Sequence, residues 1–153
     1  MTKVQYQTEI NAPIEKVYNY YTNPDNIQEA WPQDIVKESK NVSGSKSEEG
    51  SEMRVKCEYM GREEEIKLQV VDKEPNRKLV TRQIEGPFRK LESVQEFQGN
   101  GNRTHIRHAI EFELPATGKI ANTISGSQAD NKMRQGLEQA AQTVKQKLES
   151  GQV

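Results

Sequence analysis

The last long stretch of the chain, Ser127 to Glu149, constrains the fold most. Met133, Leu137, Ala140, Ala141, Val144 and Leu148 recur there at i, i+3, i+4 and i+7 spacing, which places them on one face of an α-helix. Lys, Gln, Arg and Glu fill the opposite face. Ser127 and Asp130 have the spacing of a capping box with Asp in place of Glu, and Gly151 can end the helix in a left-handed conformation. Such a helix is about 34 Å long at 1.5 Å per residue. Its stripe needs a wide surface to cover, and the strands before it have to supply one. Upstream, Ile120 and Ile124 look helical but do not share the face of Met133 and Leu137. In a straight helix they lie about 220° away, so a break near Gly126 is expected.

The preceding chain alternates with period two. Lys3–Ile10 puts Val4, Tyr6, Thr8 and Ile10 on one side of a strand. Asn11-Ala12-Pro13 opens a helix, with Asn11 or Ala12 at the cap and Pro13 in the first turn, running to about Thr22. A second short helix starts at Asn23-Pro24-Asp25 and is ended by Trp31-Pro32. Strands are predicted over Ile35–Val42, Glu52–Met60, Glu63–Lys73, Lys78–Glu85, Arg89–Gln98 and Arg103–Leu114, separated by Gly-, Pro- and Asn-containing turns. Seven strands, two helices after the first and a long helix at the end describe an α+β domain, a curved antiparallel sheet cradling a helix.

The chain's 153 residues suit one domain spanning 1–153. Only 32% of them are apolar, so the apolar residues must be concentrated on inner faces under a charged exterior. With 22 basic and 23 acidic residues there is no basic excess or stripe, and nucleic-acid binding is set aside. A single cysteine, Cys57, excludes an internal disulfide framework and fits a reducing compartment. The opening residues lack an apolar leader, and no apolar run approaches a membrane span. A cytoplasmic protein without stable membrane insertion is expected.

Few motifs carry chemistry. His105 and His108 stand three apart on a predicted strand and point to opposite faces, so they cannot chelate one ion together; no metal site and no cofactor are expected. Gly99-Asn-Gly101 lacks the third glycine and following helix of a dinucleotide site and reads as a turn. Glu63-Glu64-Glu65 alternates faces and reads as a solvated strand edge. His108 lies between Ile106 and Ile110 on an otherwise apolar inner face. It reads as a core histidine bonded to a neighbour, or as the single candidate for acid/base work or for a hydrogen bond to a ligand. Thr81, Gln83, Ser93 and Gln95 can share its face. A group of inward polar residues needs partners, and a wet or ligand-filled cavity would provide them. Tyr21, Trp31, Met53, Cys57 and Tyr59 can line such a pocket or fill a core.

The order of these features resembles the START-like superfamily, the polyketide cyclase/dehydrase and lipid-transport group. Ile10-Asn-Ala-Pro13-Ile-Glu-Lys-Val17-Tyr is similar to its "I-x-A-P-x-E-x-V-(aromatic)" opening. Asn23-Pro24-Asp25 with Trp31-Pro32 resembles its second helix, here with Pro directly after Trp. Ser93-Val-Gln-Glu-Phe97 and Gly101-Asn-Arg-Thr104 resemble its late hairpin, and Leu137 to Glu149 its closing helix. The resemblance implies a helix-grip fold, with a seven-stranded antiparallel sheet wrapped around the C-terminal helix and a cavity between them. It implies binding or carriage of a hydrophobic small molecule such as a lipid, polyketide or quinone. The walls would come from Tyr21, Trp31, Met53, Cys57, Tyr59, Leu68, His108, Ile110, Phe112, Met133 and Leu137. Alternatives are an aromatase/cyclase-like enzyme with His108 as acid/base, and a co-chaperone-like interaction module acting through its charged exterior.

Overall fold

The computed structural model describes residues 2–43, 48–59, 62–113 and 119–151, without the side chains of 43, 59, 62 and 119–129. In chain order the elements are β1 (Thr2–Ile10), α1 (Ile14–Tyr21), α2 (Pro24–Ala30), β2 (Val36–Ser43), β3 (Glu52–Tyr59), β4 (Arg62–Glu74), β5 (Lys78–Glu85), β6 (Lys90–Asn100), β7 (Arg103–Glu113) and α3 (Lys119–Glu149). The strands form one antiparallel sheet in the order β1-β7-β6-β5-β4-β3-β2. Successive strands from β2 to β7 are neighbours, and β1 closes the far side by pairing with β7. Register shifts between Val36 and Glu38, Lys67 and Leu68, and Val70 and Asp72 accompany the curl into a half-barrel. This is the helix-grip arrangement expected from the alternation.

Local chemistry explains the connections. Pro13, extended at ψ 149°, is itself the N-cap of α1 and makes no side-chain cap bond. The expected Asn11 or Ala12 cap is therefore displaced by one or two residues. A fixed φ suits Pro13 to the entry into a helix, while the Asn11 N–H is used elsewhere, donating to Glu149 Oε2 at 2.8 Å. Asn23 caps α2 by accepting from the Asp25 N–H at 3.0 Å. Trp31 ends α2 in extended conformation, as a residue before proline should. Asn76 takes the left-handed conformation (φ 62°) in the β4–β5 turn, which its short polar side chain tolerates. Tyr59 pairs with Arg62 across the β3–β4 hairpin; the predicted turn at Gly61 and the strand ends Met60 and Leu114 lie outside the described residues.

α3 departs from expectation at its start. The helical backbone begins at Lys119, eight residues before Ser127, so Ser127 is no cap, and it continues without interruption at Gly126. A glycine inside a helix costs about 1 kcal/mol relative to alanine but removes no backbone hydrogen bond. The expected break therefore has no steric cause to force it. The helix is about 46 Å long at 1.5 Å per residue, and Gly151 follows its end at φ 77°. Leu137, Ala140, Ala141, Val144 and Leu148 are buried along one stripe, as the spacing predicts. α3 packs on β1, α1 and α2.

The outer face of the sheet carries cross-strand ion pairs, including Arg82–Glu92 at 2.8 Å and Arg107–Glu96 at 3.3 Å. Exposed pairs of this kind contribute about 0–1 kcal/mol each and mainly keep the face solvated. The apolar interior falls into three clusters. One lies under α1 (Val17, Tyr18, Phe97, Ile106, Val144), one under the middle of α3 (Val4, Leu91, Ile110, Phe112, Leu137), and one under α2 (Val36, Met53, Val55). A small domain usually has one contiguous core. Here Trp31 packs against all three clusters, because an open space separates them.

Candidate functional site

That space is a cavity of about 490 Å³ between the concave face of the sheet, α2 and α3. Its size is that of a small-molecule site. Met53, Val55 and Cys57 reach it from β3, Ile66 and Leu68 from β4, and Ile110 and Phe112 from β7, each on the inward side of its strand's alternation. Trp31 and Ile35 wall it from the α2–β2 connection, and Met133 from α3.

Two positions hold this wall in shape. A Cβ on Gly136 would lie 2.7 Å from Trp31 Cζ3 and 2.8 Å from Ile35 Cδ1, so only glycine lets the indole lie this close to α3. At the other end Phe88 reaches the cavity from the β5–β6 turn. Gln83 Nε2 donates to the Phe88 carbonyl at 2.7 Å, and the Phe88 ring meets Phe112 edge-on at 5.9 Å.

The polar part of the wall centres on His108. Its Nδ1 lies 3.1 Å from Tyr21 Oη and its Nε2 lies 2.7 Å from Ser93 Oγ. The Tyr21 ring is also edge-on to the imidazole at 5.7 Å. Register explains the meeting: β7 sets His108 opposite Gln95 on β6, with Ser93 two residues further along the same face, and Thr81 opposite Ser93 on β5. Tyr21, Thr81, Ser93, Gln95 and His108 all face the cavity. Burial lowers the His108 pKa to about 3, because the charged ring would lose its hydration. The imidazole is therefore neutral at ordinary pH. Burial likewise raises the Tyr21 phenol, so its proton stays on, and pushes the Cys57 thiol up to about 11. Charge reaches the wall at two points only among the described residues, Glu58 and Lys132. Both are partly or fully exposed, and they pair outward with Lys37 at 3.6 Å and Asp34 at 3.8 Å.

Of the residues singled out from sequence, Tyr21, Trp31, Met53, Cys57, Leu68, His108, Ile110, Phe112 and Met133 meet at this cavity. Leu137 does not. It is fully buried in the core cluster with Val4 and Phe112, because the helix stripe is wide enough to face core and cavity at once. The side chain of Tyr59 lies outside the described residues. Gln83 shares the inward face, but its amide is taken up by the turn. Sequence reasoning missed Phe88, which sits in a turn without periodicity, and Gly136, whose signal was a lone glycine inside an amphipathic stripe. His105 stands on the outer face, bonded to Gln7 Oε1 at 3.0 Å. Among the described residues no three of His, Cys, Asp and Glu gather into a metal-holding group. No described helix is long and apolar enough to cross a membrane.

Residues 1–149 match the sequence profile of the family described as polyketide cyclase / dehydrase and lipid transport. The chain belongs to this family. Among solved structures, this family member is similar to a protein from Thermus thermophilus at 16% identity, with a TM-score of 0.82 over 99% of this chain and 100% of the other. A START superfamily protein from Mycobacterium smegmatis aligns at 18% identity and TM-score 0.73, covering 97% of each chain. The Zhui aromatase/cyclase from Streptomyces sp. R1128 aligns at 16% identity and TM-score 0.69, covering 92% of this chain and 86% of that one. At such identities the likeness shows a shared fold. No curated protein matches the sequence.

Proposed function

We propose that this family member binds and carries a hydrophobic small molecule in the cavity between sheet and C-terminal helix. The observation that carries the reading is the cavity itself, about 490 Å³ with a mostly apolar wall and a small polar patch centred on His108. Empty apolar volume on this scale sacrifices packing, and an apolar guest would restore it. An interaction module acting through its exterior would have no use for the space. Native mass spectrometry of freshly purified protein, compared with the denatured mass, tests the proposal. A mass that leaves on denaturation supports it; an apo mass that also fails to take up Nile red contradicts it.

The chain Tyr21–His108–Ser93 favours a second reading, an aromatase/cyclase-like enzyme with His108 as acid/base. A ring held neutral with a pKa near 3 is a poor base at neutral pH, since proton transfer works best with a pKa near the working pH. Carriage is therefore preferred. Unchanged turnover of a polyketide substrate by His108→Ala would remove the catalytic role.

A further inference from the structure

The hydrogen-bond bookkeeping of the polar wall limits what the cavity can receive. A neutral imidazole has one donor and one acceptor nitrogen. Both His108 nitrogens are engaged, Nδ1 with Tyr21 Oη and Nε2 with Ser93 Oγ. If Nδ1–H donates to Tyr21, Ser93 donates to Nε2 and the Tyr21 O–H is left over. If Nε2–H donates to Ser93, Tyr21 donates to Nδ1 and the Ser93 O–H is left over. Either tautomer therefore leaves one hydroxyl hydrogen at one end of the chain and oxygen lone pairs at the other. Tyr21 and Ser93, which carry the two ends, both line the cavity.

The same wall offers no compensating charge. Thr81 and Gln95, the polar neighbours, are uncharged, and the only charged wall residues among those described, Glu58 and Lys132, stand at solvent-accessible positions in outward ion pairs. A carboxylate beside His108 would be buried with neutral partners alone, and burying an uncompensated charge is strongly unfavourable. A ketone or hydroxyl oxygen needs only the spare O–H, and a hydroxyl can also use the lone pairs.

Resting on the carrier reading above, we infer that the cavity selects an uncharged hydrophobic ligand bearing a ketone or hydroxyl oxygen, received by the Tyr21–His108–Ser93 chain, and discriminates against carboxylates. The selectivity resides in residues 87 and 15 positions apart in sequence, brought together by the packing of α1 on the sheet and by the β6–β7 pairing.

Four probes with one apolar body test this at pH 7.5: naphthalene, 2-naphthol, 2-acetonaphthone and 2-naphthoate, titrated as competitors of Nile red. 2-Naphthol and 2-acetonaphthone should bind ~3–10-fold tighter than naphthalene, the gain of one net hydrogen bond, and 2-naphthoate weaker than both. The double variant Tyr21→Phe/Ser93→Ala should lower the ratio of ketone to hydrocarbon affinity toward one. A general loss of affinity cancels in that ratio, and unchanged far-UV circular dichroism checks folding. Displacement of Nile red by 2-naphthoate as effectively as by 2-naphthol overturns the selectivity while leaving the carrier reading intact. So does an unchanged ratio in the double variant. Failure of Nile red and all four probes to bind overturns the carrier reading and the selectivity together.

Discussion

Replacing Gly136 by alanine sets two effects of known sign against each other. On helix propensity alone the change stabilises by about 1 kcal/mol, since alanine restricts the unfolded chain and suits a helix interior. The new methyl, however, would sit 2.7 Å from Trp31 Cζ3, 2.9 Å from Trp31 Cε3 and 2.8 Å from Ile35 Cδ1. Carbon–carbon contacts are optimal near 3.5–4.0 Å, so the indole must retreat by roughly 0.8 Å. Its open side is the cavity. Overpacking of this kind costs about 1–3 kcal/mol, which leaves Gly136→Ala destabilised by about 0–2 kcal/mol. Urea unfolding should show a lower midpoint at unchanged slope. Nile red affinity should fall several-fold as the ring moves inward. Trp31 is the only tryptophan, so intrinsic fluorescence reports the displacement directly. Trp31→Phe removes both indole carbons in the clash, and in that background Gly136→Ala should cost less, a coupling that a double-mutant cycle reads out. A Gly136→Ala protein about 1 kcal/mol more stable, with unaltered fluorescence and probe affinity, would refute the account of this wall.

Three further outcomes follow from the buried groups. His108 titrates near 3 when folded and near 6.5 when unfolded, so its neutral ring favours the fold above pH 6.5 and that contribution is lost as pH falls toward 3. Stability at pH 5 should be about 2 kcal/mol lower than at pH 8 on this account, and His108→Gln should flatten the difference; an equally steep profile in the variant contradicts the assignment. Cys57, with its thiol raised to about 11 by burial first and Glu64 second, should react with a disulfide reagent at least ~10-fold more slowly than a free thiol, the lower thiolate fraction being partly offset by the higher nucleophilicity of a more basic thiolate, and reaction at the free rate in native protein would show the wall to be open there. Leu137→Ala, which empties a fully buried position off the cavity wall, should cost about 2–5 kcal/mol in chemical unfolding, with probe selectivity among the naphthalene series retained.

The sheet was legible because period-two alternation is a local signal: Ile106, His108, Ile110 and Phe112 face inward as their spacing demands. The stripe from Met133 to Leu148 was legible for the same reason. What escaped depends on pairs distant in sequence. Gly136 reads as a helix defect until Trp31, 105 residues earlier, is seen against it. Likewise, the polar chain needs Tyr21 from α1, Ser93 from β6 and His108 from β7; the sequence offers each as an inward-facing candidate, but only the fold shows that they meet. Leu137 failed as a wall residue because a helix face does not distinguish core from cavity. The start of α3 was misplaced because Ser127 and Asp130 mimic a cap in spacing while the backbone before them is already helical.

The central claim, that an apolar guest occupies the space between sheet and helix, is tested most directly by methyl NMR with 2-acetonaphthone. The account predicts intermolecular contacts from the probe to the methyls of Met53, Met133, Leu68 and Ile110, which line the cavity on β3, α3, β4 and β7. Contacts confined to the outer-face residues Val42 and Ile84, the exposed large apolar side chains among the described residues, would contradict it.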